Sequence, residues 1–204
     1  MSLFAKFGQI IRQSINTYIV LNLVYYGLVI AGMVAVSHYP SLEQTLRNAV
    51  RANFNPQLMQ AYADGLLLPA IWLTFANNFI LASLVAITLP SLLIPFWGVL
   101  LGAGRALLWG LALSPSDPSY GIKIIPHSLT GLLEGQGYIL AMLSAYLLWR
   151  NFFHPGQVDE PSPRRGYLLG LQQTGILYCG VFTILLVAAV YEALVSIYFL
   201  PTLV

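Results

Sequence analysis

The sequence predicts an all-α, polytopic membrane protein with about five transmembrane helices. Three observations carry this. Of 204 residues, 58% are hydrophobic and only 8% are charged. Mean hydropathy is +0.75. The apolar residues fall into runs long enough to cross a bilayer. A soluble domain carries about 25% charged residues, so this chain has too little charge to cover a water-facing surface. A disordered chain would be poor in apolar residues and rich in charge. A disulfide-built secreted domain is excluded as well, because Cys179 is the only cysteine. A net charge of +2 without a lysine or arginine cluster gives no footprint for nucleic acid.

The elements follow in order. Residues 1–16 place Phe4, Phe7, Ile10, Ile11 and Ile15 at mixed helical spacing with Lys6 and Arg12 among them, which predicts an interfacial amphipathic helix. No cleavable signal peptide is expected. A hydrocarbon core of about 30 Å needs roughly 20 apolar residues per helix. Spans are expected at 17–36, 66–89, 92–113, 126–149 and 167–200. The second and third are separated by a break at Pro90. The last run would form about 50 Å of helix, so it must tilt or project beyond the lipid. Between the first two spans, Leu42, Leu46, Val50 and Phe54 recur every fourth residue and predict a second interfacial helix. No extramembrane stretch is long enough for a soluble catalytic domain, so residues 1–204 read as one membrane domain.

Lysine and arginine set the orientation. With the N-terminus inside, inner segments hold Lys6, Arg12, Arg150, Arg164 and Arg165, and outer segments hold Arg47, Arg51 and Lys123. The expected topology is N-terminus cytoplasmic and C-terminus outside. Trp97, Trp109, Trp149, Tyr18, Tyr167 and Tyr198 lie at or near span ends, where aromatic belts form.

Charge in lipid costs at least ~2.5–3.5 kcal/mol at a helix centre, so polar residues inside spans are the informative ones. They are Asn77 and Asn78 in the second span, Arg105 in the third, Glu134 in the fourth and Glu192 in the fifth, with His127 at the start of the fourth. Arg105, Glu134 and Glu192 each come out about 12 Å from the outer span ends, and the asparagines about 17 Å. One reading is a polar cluster that binds or conducts something. The other is structural: Arg105 neutralises a glutamate and the asparagines bond across helices. For Glu192 a further alternative is to reach the outer headgroups. Arg105 and Glu134, on neighbouring spans, are the expected contact pair.

No enzyme chemistry is legible. His127 and Glu134 are two turns apart, about 10 Å along the axis, too far to share a metal without a third helix between them. G-x-S-x-G and phosphate-binding glycine loops are absent from the sequence. No catalytic residue, cofactor or metal is expected. Glycines spaced by four (98 and 102, 131 and 135, 166 and 170) allow close backbone approach. That serves tight packing within one subunit or, alternatively, a homodimer face.

The stretch "FANNFILASLVAITLPSLLIPFWGVLLGAGRALLWGLALSP", with "IIPHSLTGLLEGQGYILAMLSAYLLW" after it, resembles the stage II sporulation protein M family. The shared features are an asparagine in an early core helix (Asn77 or Asn78), a glycine-rich next helix, a proline–histidine opening the following one (Pro126, His127) and a glutamate soon after (Glu134). The resemblance covers about 75 residues. The family usually has glycine after the histidine and glutamate four residues beyond it; here Ser128 and Gly131 stand there. Where the family tends to have an asparagine–glycine pair, this chain has Arg105. The resemblance implies a non-enzymatic membrane component working with other membrane or envelope proteins in septal membrane remodelling. Some members look like partners of transport ATPases, which implies the alternative of a transporter-like subunit.

Overall fold

A computed structural model describes residues 2–39, 45, 55–112 and 124–203. Every extended element among them is helical. Helix α1 (Leu3–Gln13) starts where Ser2 Oγ accepts from the amide of Ala5, and α2 (Ile15–Ser37) follows after a bend at Ser14. Helix α3 (Pro56–Ala63) has Asn55 as its cap and Pro56 in its first turn. The long α4 (Leu67–Ser91) leads through a short turn into α5 (Trp97–Ala112). The remaining two are α6 (Ile124–Phe153) and α7 (Pro163–Leu194), the latter continuing in wider turns to Phe199. The Ser162–Pro163 step starts α7: the serine hydroxyl accepts from Arg165 and proline fills the first turn.

Helix α4 is unusual. From Ala76 to Thr88 it is π-helical, with each amide bonding five residues back. Its buried positions, Asn78, Ala82, Ser83, Ile87, Thr88 and Ser91, recur every four to five residues, the period of the wider coil. Pro90 was expected to separate two spans, and the helix does end one residue past it, at Ser91, with a turn following. Proline strands the carbonyl one turn before it, and Trp97 Nε1 donates to that carbonyl, Ala86 O, at 3.2 Å. Ser91 then pins the turn. Its hydroxyl donates to Ile87 O and accepts from the Gly98 amide, while its own carbonyl accepts from Trp149 Nε1. The α4–α5 turn therefore takes residues 92–96, and α5 begins at Trp97 rather than at 92.

Helix α6 is the centre. Tyr138, Ile139, Leu140, Ala141, Met142, Leu143, Ser144, Ala145, Leu147 and Leu148 are all buried, so this stretch is enclosed on every side. Residue pairs fix the neighbours' directions. Gly98 meets Ala145, Gly102 meets Met142 and Arg105 meets Tyr138, so α5 runs antiparallel to α6. Gly166 meets Asn151, Gly170 meets Leu148 and Gly180 meets Leu140, so α7 is antiparallel too. Asn78 with Glu134 and Ser91 with Trp149 set α4 parallel to α6. Helix α2 crosses at mid-height: Tyr18, Asn22, Tyr25 and Tyr26 reach α6 between Leu132 and Tyr138. Further along α2, Gly32 and Val29 press against Gly110 of α5, backbone on backbone.

Among the described residues, three helices are long and apolar enough to cross a membrane: Ile15–Ser37, Leu67–Ser91 and Pro163–Phe199. Helix α5 is apolar but has only 16 residues, and α6 has 30 residues with a more polar N-terminal half. Large apolar side chains such as Leu23, Leu68, Trp72, Leu93 and Leu100 face outward, as a lipid-facing surface requires. Helix α1, expected to be an interfacial helix, packs against the bundle. Phe4 is 86% exposed, but Ile10 enters the core and Phe7 rests on Gly180 of α7. The expected helix through Leu42, Leu46, Val50 and Phe54 lies outside the described residues.

Candidate functional site

Helices α4, α6 and α7 bring amides and carboxyls together at one level. Asn78, on the π-helical part of α4, donates through Nδ2 to Glu134 Oε1 of α6. Asn77 Nδ2 donates to Asn78 Oδ1 at 3.1 Å, and the carbonyl of Asn78 accepts from Ser83 Oγ. The wide coil is what turns Asn78 inward at this point. Glu134 is 7% exposed. Glu192 of α7 lies beside it. Glu192 is thus drawn into the cluster rather than out to the headgroups. Tyr62 of α3 stands beside Glu192 and bonds Thr74 of α4 at 2.8 Å, hydroxyl to hydroxyl. Ala61, Ala70 and Ala193 let α3 sit close against α4 and α7 there.

Arg105 does not contact Glu134 directly, as was expected. Its Nη2 donates to Tyr138 Oη at 2.8 Å, and its guanidinium carbon lies 4.5 Å from the Tyr138 ring centre and 5.9 Å from that of Trp109. The cause is the tilt of the Cα–Cβ bonds, which lean toward the start of every helix. Because α5 and α6 are antiparallel, the side chains of Arg105 and Glu134 lean apart. Tyr138, one turn along α6 from Glu134, fills the space between. Glu134 still attracts the guanidinium through space. Behind this group Tyr25 of α2 stacks on Tyr138, with ring centres 6.5 Å apart.

Of the six polar residues singled out in the sequence, the structure joins Asn77, Asn78 and Glu134 by hydrogen bonds, sets Glu192 beside Glu134 and places Arg105 one tyrosine away. His127 opens α6, but its side chain lies outside the described residues. Sequence reasoning missed Tyr138 and Thr130, which sit one turn either side of Glu134 on its own face. It also missed Gln136, whose amide binds Asn22 at 2.7 Å and Tyr26 at 2.9 Å while its carbonyl oxygen accepts from Tyr18. A glutamine two residues from a buried glutamate was the available signal. Among the described residues no three histidine, cysteine, aspartate or glutamate side chains converge as a metal site would require.

The arrangement is a buried carboxyl with a half-buried one beside it, hydrogen-bonded on one side by an amide and faced on the other by a fixed positive charge. Such a group can hold a proton or small cation, or it can lock four helices together. Comparison of the chain with protein-family profiles, characterised proteins and solved structures gives no match.

Proposed function

We propose that this protein is a non-enzymatic integral membrane component of a larger assembly, acting in envelope or membrane remodelling as the resemblance to the stage II sporulation protein M family implies. One observation carries the reading. The polar side chains of the helices turn inward and bond one another, which leaves an apolar outer face suited to lipid and to other membrane helices. Five spans are part of the proposal: α2, α4, α5, α6 and α7, with the N-terminus cytoplasmic and the C-terminus outside. The alternating directions of α4 to α7 support it. Single cysteines at Gln157 and Val204, in a Cys179→Ala background, label from opposite membrane faces on this topology. Labelling from one face overturns it.

A transporter-like subunit working with a partner ATPase is the second reading, favoured by the carboxyl pair at the centre of the bundle. Purification from native membranes in mild detergent separates the two. An assembly containing envelope or wall-processing proteins supports remodelling, and one containing an ATPase supports transport. Migration as a lone chain, with an unaltered envelope on depletion, contradicts both.

A further inference from the structure

We propose that the leaflet facing the N-terminus meets this protein at two heights, and that α1 is a seat for its anionic headgroups, drawn up to Lys6 and Arg12. The second height is the far end of the bundle, where α6 gives way to α7. This rests on the spanning arrangement proposed above and adds how the bundle would reshape the lipid around it. Helix α2 fixes the height of α1. Its 23 residues make about 34 Å of helix, little more than the ~30 Å of a hydrocarbon core, so its start at Ile15 stands at a membrane surface. Helix α1 joins it there through the bend at Ser14. Phe7 and Ile10 face the bundle, while Lys6, Gln9, Arg12 and Gln13 are exposed. That is the pattern of a helix lying among headgroups, and both of its charges are positive, which suits anionic lipid.

Helix α7 measures the step between the two heights. Phe7 rests on Gly180, whereas Gly166, beside the exposed Arg164 and Arg165, packs on Asn151 near the end of α6. Those two glycines lie about 21 Å apart along α7. Even at the steepest tilt usual for a spanning helix, ~40°, about 16 Å of that step remains. One leaflet supplies only ~15 Å of the hydrocarbon core. In a flat leaflet ending at Arg164 and Arg165, the α1 charges would therefore lie near the midplane, too deep for their side chains to reach the surface. The α4–α5 turn shows that lipid does extend to the lower height. Tyr167 donates to Leu92 O, which sets the turn beside the start of α7. Residues 92–96 carry no polar side chain, Leu93 is 83% exposed, and Leu81, Val85 and Leu89 continue the apolar surface up α4. The amides of Leu92, Leu93, Ile94 and Trp97 are bonded to carbonyls within the turn and the helix end before it, as hydrocarbon demands. The leaflet is thus full at the α4–α5 turn and thinned at α1, a step in thickness that gives remodelling a physical means.

The test is a depth measurement on the full-length protein, Cys179→Ala, in vesicles of phosphatidylcholine and phosphatidylglycerol. Single spin labels at Gln9, Leu93 and Val187 are read by their access to oxygen, which concentrates in lipid, and to a water-soluble nickel chelate. The expected result is nickel access at Gln9 and oxygen access at Leu93 and Val187. Oxygen access without nickel access at Gln9 puts α1 in the hydrocarbon and overturns the proposal. Nickel access at Leu93, or shielding of Leu93 from both probes, overturns it too, by putting water or a protein partner at the turn. Nickel access at Val187 would instead overturn the spanning arrangement itself. Spin-labelled lipids test the headgroup class: phosphatidylglycerol should be immobilised several-fold more than phosphatidylcholine, and Lys6→Gln/Arg12→Gln should lose much of that preference. A preference unchanged in that variant would overturn the anionic seat.

Discussion

Arg105 stays charged at any physiological pH, so its partner must be permanent. Tyr138 supplies both an acceptor oxygen and a ring face. Tyr138→Phe keeps the ring and removes the acceptor, leaving the guanidinium unsatisfied at a cost of about 1–3 kcal/mol in thermal unfolding. Adding Arg105→Leu to Tyr138→Phe should recover part of that loss, because the stranded charge goes with it; a further large loss would show that Arg105 has another partner. At this scale the sequence named the polar residues and misjudged one contact. Depth along a helix axis can be counted from residue numbers. The lean of each Cβ toward its own helix start matters only once two helices are known to be antiparallel neighbours, and that turned Arg105 toward Tyr138.

At the scale of elements, glycine positions separate into those that face backbone and those that face open space. A Cβ at Gly110 would meet the Val29 carbonyl, and one at Gly32 would lie 2.7 Å from Leu107 O. Gly104, on the same helix, has nothing within 4 Å. Gly110→Val should therefore cost at least ~1–3 kcal/mol by overpacking, whereas Gly104→Ala should be neutral or gain up to about 1 kcal/mol from helix propensity. Equal effects in a detergent melt would contradict the α2–α5 crossing. Of the glycines flagged by their four-residue spacing, Gly98, Gly102, Gly135, Gly166 and Gly170 are packed inside the subunit, and Gly131 faces open space. Trp97→Phe should destabilise by about 0.5–1.5 kcal/mol, because it leaves the Ala86 carbonyl beside Pro90 without a donor. A mutant as stable as wild type would remove that account of the Pro90 region. Here the proline marked the break between the two helices, and what holds that break together was not legible. Proline reads as a stop, and nothing local to Pro90 reveals that a tryptophan seven residues on will take up the freed carbonyl.

For the whole molecule, composition alone indicated an all-helical chain built for an apolar environment, and the polar residues inside its apolar runs marked where helices meet. The sequence did not reveal which helix lies at the centre. Helix α6 reads as one of five similar spans, yet the others enclose it because its residues 138–148 are apolar on every side while Glu134 and Gln136 reach toward different neighbours. The central claim is that α4 and α6 are tied by one bonded network with Glu134 at its hub. A double-mutant cycle on Asn78→Leu and Glu134→Leu, read by thermal unfolding of the full chain in lipid nanodiscs, tests it most directly. The network predicts that the double variant loses less than the sum of the single losses, by about 0.5–3 kcal/mol. Additivity within about 0.3–0.5 kcal/mol would contradict it.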